Sequence, residues 1–444
     1  KHNAVLTMTQ KMADDMRDQM DAGKVIKPDD VEYPTYGAQN GLVLLDMKGL
    51  SYENPLWDDL LDQLTWDETV DLLSNGRHKT QPIESVSKPG TGDENGPNGF
   101  KAQYSEASGG GRFNGPTNPY AERAGGFDAD GNYIPDPDLG KGYTTTGFSS
   151  NGVLAATFNK ELAEEIGKQI GEEGLWAGMS GLLGIGLNII RSPYAGRTAE
   201  YVSEDAILSG LISAPEVAAI ESKGVHCFIK HAAMNDCETA RHGVNTWATE
   251  QTMRENYLRA FEICITEGNS FSVMTSFSRM GTDAVANCVP FTKWLRNECG
   301  LPGIVETDCA GDMTDGAHGE AYVSRIVNVY TGATDLNEYN YGADVPDYTG
   351  STYTYDYFKP NGANGNYGKL ARAMRESAKR IMYHTVTSNG MNKYSSNSRV
   401  IRLTPPWETA VIAVDVVSGV LLAASVGWLA ATTVIDIVKK RKEN

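Results

Sequence analysis

An α/β fold, closed most simply as a (β/α)8-type TIM barrel that is allowed to be incomplete or irregular, follows from two observations on the sequence. Apolar strand-like runs alternate with amphipathic helical stretches at intervals of about 30 to 45 residues, the pattern of βαβ units in a parallel sheet. Three of those runs end in polar residues: Val225-His226-Cys227-Phe228-Ile229 in Lys230-His231, Phe271-Ser272-Val273-Met274 in Thr275-Ser276, and Leu301-Pro302-Gly303-Ile304-Val305 through Glu306-Thr307 in Asp308. In a barrel of parallel strands the C-terminal tips carry the chemistry, so these residues predict one shared site. A C-terminal transmembrane helix completes the expected architecture.

Residues 1–54 read as an N-terminal arm or connector. A polar helix-like stretch from Met8 to Met20 is followed by Pro28, Pro34 and Gly37, turn-formers that keep the chain extended around the next domain. The barrel is expected over residues 55–392. Leu56, Leu60, Leu61 and Leu64 recur at helical spacing, and Val70, Leu72 and Leu73 continue the pattern after Thr65 as N-cap. From Ser108 to Asn151 the chain is rich in Gly, Pro, Asn and Tyr and reads as long rim loops. Regular alternation then begins: a helix from Lys160 to Gly171, a strand from Leu182 to Ile190, a helix from Ala206 to Ser222 and the Val225 strand. A helix capped by Thr249 buries Met253, Tyr257, Phe261 and Ile265. The Phe271 strand, a Pro290 to Cys299 helix and the Ile304 strand close the series.

The chain has 444 residues, 40% of them hydrophobic, enough to bury a barrel-sized core. Its formal net charge of −18 repels phosphate backbones and argues against nucleic acid as a partner. A neutral ligand suits this surface better. The six cysteines form no CxxC pair and no metal-ligand spacing with histidine, so no metal and no cofactor are expected. They read as free buried thiols, with disulfides as the alternative in an extracytoplasmic setting.

Val416 to Ile435 is an uncharged stretch bracketed by Asp415 and Asp436, about as long as the ~20 residues a helix needs to cross a bilayer. Lys439-Lys440-Arg441-Lys442 follow, and such a basic flank stays in the cytoplasm. A linker over 393–409, a membrane helix over 410–438 and a basic tail over 439–444 are therefore expected, with the barrel extracytoplasmic on a single-pass cell-membrane protein. A buried amphipathic helix is the alternative. The sequence begins at Lys1 without an initiator Met, so the native N-terminus is expected upstream.

Three blocks carry a family resemblance. Asn188-Ile189-Ile190-Arg191-Ser192-Pro193 with Gly196-Arg197, Glu200-Tyr201 and Ser203-Glu204-Asp205 resembles a block of glycoside hydrolase family 3. Lys230-His231 followed by Asn235-Asp236-Cys237-Glu238-Thr239-Ala240-Arg241-His242-Gly243 resembles that family's Lys-His-Phe block, and Gly303-Ile304-Val305-Glu306-Thr307-Asp308 its nucleophile strand. The resemblance covers Pro55 to Asn392 and implies a retaining, exo-acting β-glucosidase or β-xylosidase with Asp308 as nucleophile. It further implies that Arg197, Lys230 and His231 bind the hydroxyls of the sugar next to the scissile bond. Lys230 and Arg197 are also the charges expected to keep Asp308 ionised.

The departures bear on substrate. Asn95 stands where the family has an Asp that grips sugar hydroxyls, unless Asp93 reaches in instead. Phe277 replaces a Tyr whose hydroxyl touches the nucleophile, and Cys309 replaces a Trp that stacks on sugar. A retaining enzyme also needs a general acid/base, which the two-domain members draw from an α/β sandwich domain. Nothing after Asn392 is long enough to be that domain. Tyr33-Pro34-Thr35-Tyr36-Gly37 through Gly49-Leu50-Ser51-Tyr52 resembles the connector of members with the inverted domain order, so a partner sandwich domain is the expected source. The implied substrate is an oligosaccharide or an aryl or alkyl β-glycoside. The alternative is a catalytically impaired, saccharide-binding barrel. Two further features carry less weight: the Tyr339 to Tyr367 loop, as a second sugar platform or rim scaffold, and Asp312, Asp315 and His318, for which no metal is proposed.

Overall fold

The computed structural model describes residues 9–11, 26–74, 76, 78–100, 126–127, 133–134, 145–239, 241, 245–281, 283–308, 329–336, 355–392 and 406–443. They fall into two compact units, the first spanning 1–124 and 136–398, the second 125–135 and 399–444.

The first unit is organised by one six-stranded sheet whose strands lie in chain order: β1 (Lys79–Thr80), β2 (Thr91–Asn95), β3 (Met179–Leu183), β4 (His226–Ala232), β5 (Ser272–Thr275) and β6 (Val305–Glu306). From β2 onward every pairing is parallel, and a further parallel bridge joins Glu306 to Leu336. The β1–β2 pair is antiparallel. Among the described residues the sheet is thus a curled half-barrel, the incomplete form that the (β/α)8-type expectation allowed. The antiparallel edge has a local cause: β1 and β2 are joined by a short turn over Ile83 to Lys88, too short for a crossover helix.

Helices cover the sheet. Leu56–Leu61 (α1) and Trp66–Ser74 (α2) precede it, and Asn151–Ala155 (α3) and Lys160–Ala177 (α4) follow β2. Ala206–Glu221 (α5) follows β3, Arg259–Thr266 (α6) follows β4, Val289–Lys293 (α7) follows β5, and Gly368–Thr387 (α8) packs last. Their ends follow the local chemistry. Asn159 caps α4 by accepting from the Leu162 amide, and Asp205 caps α5 by accepting from Ile207 and Leu208. Thr249 accepts from the Thr252 amide before the helical run that leads into α6, where Tyr257, Phe261 and Ile265 are buried and Met253 is half-buried. Helices α4 and α5 approach closely because Gly167 has no side chain; a Cβ there would strike the Glu216 carbonyl and Ala219.

One expected strand is shifted. The run Leu182 to Ile190 predicts a strand, but β3 occupies Met179–Leu183. Gly178, in the left-handed conformation at φ 70°, stops α4 at Ala177 and the strand starts at once. Ile185, Leu187 and Ile189 are buried at alternate positions, which mimics a strand in the sequence. They instead form an irregular segment beside β4, with the Lys230 amide donating to the Ile185 carbonyl at 2.8 Å.

Both faces of the sheet are buried, as parallel sheets require. On β4, Cys227 and Ile229 join the cluster under α4 to α7, whereas Phe228 joins Leu183, Met274 and Ile304 in a second cluster with α1, α2 and α8. The arm over 26–50 is pinned against α8 and its approach: the Tyr33 hydroxyl donates to Phe358, Asp29 accepts from the Val31 amide, and Asn366 donates to the Asp29 and Val31 carbonyls. The sheet edge is tied to both neighbouring helices by Asp335, which accepts from the Val305 amide, from Arg296 at 2.6 Å and from Arg380 at 2.9 Å. In the Tyr339 to Tyr367 loop, residues 337–354 lie outside the described set, and Tyr355, Phe358 and Tyr367 are buried in the second cluster. That part of the loop is scaffold.

The second unit contains a short antiparallel pair, Gly126–Phe127 with Tyr133–Ile134, and one helix, Pro406–Glu443 (α9). Within α9, Ala410–Lys442 is long and apolar enough to cross a bilayer, and none of its apolar window is buried.

Candidate active site

The parallel strands deliver their C-terminal tips to one side of the sheet, and a cavity of about 490 Å³ opens there. Asn95 at the end of β2, Lys230 and His231 on β4, Met274 on β5, Phe277 just beyond it and Asp308 just beyond β6 all line it. The loop after β3 adds Gly196, Arg197, Ala199 and Glu200, and the loop after β4 adds Glu238 and Arg241. Six of the seven residues singled out in the sequence are thereby brought together. The seventh, Cys309, lies outside the described residues, as do Asp312, Asp315 and His318. Asp93 is buried on β2 against Gly181 and is not a lining residue, so Asn95 holds the position facing the cavity.

Each side chain is held by neighbours. Lys230 Nζ donates to Asn95 Oδ1 at 2.9 Å, so the Asn95 amide is engaged through its oxygen. The Asn95 amide nitrogen of the backbone donates to Glu94 at 2.7 Å. His231 Nε2 lies 3.4 Å from Asp308 Oδ2. Burial, followed by the charges of Arg197, Lys230 and Arg241, holds the His231 pKa well below the usual histidine range. The ring is therefore neutral at physiological pH and meets Asp308 as a dipole. Burial opposes the charge on Arg197, yet Glu200, Tyr201, Glu238 and Asp308 raise its pKa above the ordinary value. A fixed cation beside Asp308 favours the ionised carboxylate that nucleophilic attack needs.

Three charged lining residues, Glu200, Glu238 and Arg241, carry no assigned role in the sequence reading. Glu200 is ion-paired with the Arg197 guanidinium, and Glu238 accepts from Arg241 at 2.7 Å and from Asn235 at 2.9 Å, with Arg197 3.9 Å away. The Arg241 guanidinium sits over the Phe277 ring, 4.1 Å from its centroid. Phe277 thus offers an aromatic face to Arg241. The signal available in the sequence was the spacing: Arg197 with Glu200 and Glu238 with Arg241 are both acid–base pairs three residues apart, and both fall in the loops between strand tips. Among the described residues, no group of three or more His, Cys, Asp or Glu could hold a metal ion.

Fixed donors on Arg197, Lys230 and Arg241 interleaved with the carboxylates of Asp308, Glu200 and Glu238 suit a polyol ligand. Residues 138–327 match the Glycosyl hydrolase family 3 N terminal domain. β-Glucosidase B of Emericella nidulans is 32% identical over 256 residues, 57% of this chain and 26% of that protein. The comparisons support family 3. A β-glucosidase of Ruminococcus albus is 39% identical over 167 residues, 37% of this chain and 18% of its own length. Among solved structures, β-glucosidase 3B of Thermotoga neapolitana in complex with glucose aligns with a TM-score of 0.56 at 25% identity, over 80% of this chain and 45% of that one. The β-glucosidase of Kluyveromyces marxianus, at 20% identity and a TM-score of 0.58, shares the fold. The chain spans less than a third of the length of these sequence relatives. They support a family-3 glycoside hydrolase.

Proposed function

We propose that this chain is the barrel half of a retaining, exo-acting family-3 β-glycosidase, a β-glucosidase or β-xylosidase. Asp308 attacks the anomeric carbon of a terminal non-reducing β-linked sugar, the leaving group departs with a proton, and water then releases the sugar with net retention. Asn95, Arg197, Lys230 and His231 orient the sugar hydroxyls, Phe277 shapes the same wall, and Cys309 is proposed as a further substrate-binding residue. The observation that carries this reading is the placement of the Asp308 carboxylate in a cavity beside Arg197, Lys230 and neutral His231. The names of the relatives, β-glucosidases and an exo-α-(1->6)-L-arabinopyranosidase of Bifidobacterium breve, support a glycoside substrate. We assign the barrel to residues 55–392, with the arm over 1–54, the linker over 393–409, the membrane helix over 410–438 and the basic tail over 439–444. Helix α9 then anchors a single-pass protein whose barrel faces away from the cytoplasm.

The proton donor belongs to a partner α/β sandwich domain in this scheme. Glu200 and Glu238 are both committed to arginines, which supports a donor from outside the described wall. The same observation favours one other reading, a saccharide-binding barrel without turnover. A 2-fluoro glycoside with a good leaving group separates the two, because it needs no acid to form the covalent intermediate. Mass spectrometry is expected to find Asp308 glycosylated. A protein that binds glucose yet stays unlabelled rules out the enzyme.

A further inference from the structure

The excursions after β4 and β5 meet on the cavity side of the sheet. Asn245–Thr246 pairs in parallel with Arg279–Met280, which pairs antiparallel with Asp283–Ala284. The roots of this small sheet are cavity residues: Arg241 precedes its first strand and Phe277 its second. Trp247 follows directly after Thr246 and is 63% exposed. One side of its ring rests on Gly281, where a Cβ would lie 3.5 Å from the indole, and the Gly281 amide donates to the Thr246 carbonyl at 2.9 Å. Gly281 has φ +66°, a backbone conformation that disfavours any side chain, so the floor beneath the indole is fixed and bare. Tyr194, on the loop leading to Arg197, is 90% exposed and has no comparable support.

We infer that Trp247 is a binding platform for the leaving-group side of a β-glycoside, stacking on the apolar C–H face of a ring beyond the sugar held at Asp308. An indole with one face supported and the other open presents a large apolar surface at little entropic cost, the arrangement that a flat ring takes up. Four residues separate Phe277 from Gly281, so the platform stands within about 13 Å of the cavity wall, inside the length of a short oligosaccharide. The inference rests on the glycosidase reading and adds a substrate class to it: short β-linked oligosaccharides rather than alkyl glycosides.

The test is calorimetric binding to the full chain of glucose and of a β-linked glucose trisaccharide with sulfur in place of the bridging oxygens, which resists hydrolysis. W247A is expected to weaken the trisaccharide about tenfold while leaving glucose within about twofold of the unmodified protein. W247F retains most of the trisaccharide affinity. W176A, which removes a comparably exposed tryptophan on the outside of α4, changes neither. Equal trisaccharide binding by W247A and the unmodified protein overturns the inference and leaves the glycosidase reading intact. Equal losses of glucose and trisaccharide also overturn it, since the residue then only supports the loop. If the unmodified protein binds neither sugar, the glycosidase reading falls and takes the platform with it.

Discussion

Strand β4 carries a histidine near each end, and each histidine meets a carboxylate. At the N-terminal end His226 Nδ1 lies 2.6 Å from Glu221 and its Nε2 lies 3.0 Å from the Thr387 hydroxyl. At the other end His231 faces Asp308 at 3.4 Å. On pair geometry alone the first looks more like catalytic machinery. Its surroundings decide otherwise: Glu221 also accepts from the Cys227 and Phe271 amides, the ring stacks on Phe271 at 3.9 Å, and Thr387 donates to its own helix at Tyr383. That carboxylate is consumed in closing the end of the sheet. Asp308 instead opens onto a cavity among cations. A histidine–carboxylate contact becomes a candidate site only where an open cavity accompanies it.

The sharpest break between the two ends is functional. D308N is expected to abolish covalent trapping and to lower turnover by about 10⁴-fold or more while leaving the unfolding midpoint unchanged, checked by kinetics and thermal melts in parallel. E221A is expected to do the reverse. It strands two buried amide groups and a histidine, so denaturant titration should show a loss of about 3 kcal/mol, with glucose binding preserved in the folded fraction.

Acid should act through buried histidines at both ends. Burial, with Arg197, Lys230 and Arg241, lowers the pKa of His231; burial, with His226 and Lys88, lowers that of His384, whose two ring nitrogens have no hydrogen-bond partner. Both rings are neutral in the folded state and protonate in the unfolded chain below about pH 6.5, so the unfolded state then binds more protons. Their stabilisation is present above that pH and is lost as pH falls, by up to about 1.4 kcal/mol per pH unit for each histidine. Urea titrations at pH 7 and 5.5 should reveal the slope, and H384L should remove the share of one ring. A smaller effect is expected from F277L, which takes the aromatic face from Arg241. At roughly 1 kcal/mol it should weaken glucose about fivefold with little change in stability.

Much of the site was legible because it sits on regular elements. Lys230, His231 and Asp308 terminate apolar runs, and a buried parallel strand leaves a strong hydrophobic trace. The register of β3 was not legible, since Ile185, Leu187 and Ile189 alternate like strand residues while hydrogen-bonding irregularly beside β4. Glu200, Glu238 and Arg241 were present in the recognised blocks, but loop residues have no periodicity, and the cavity that gives them a role exists only once the strand tips converge. The cation–π contact of Phe277 with Arg241 was invisible for the same reason: it joins two different loops. Among the described residues the sheet is a curled half-barrel with one antiparallel edge, and a strand count from the sequence carries no hydrogen-bond pattern that could tell that edge from a parallel one.

The strand order has a kinetic corollary. Each strand of the sheet pairs with the next in the chain, so the sheet can grow one unit at a time as the polypeptide emerges. The arm breaks that locality: Tyr33 bonds to Phe358, and Lys48 to Met391, across more than 300 residues. The arm therefore waits for a segment synthesised more than 300 residues later. Until α8 arrives, Tyr33, Trp57 and Leu60 have no complete partner surface, and the nascent sheet presents an unfinished apolar flank to whatever chaperone or neighbouring chain meets it first.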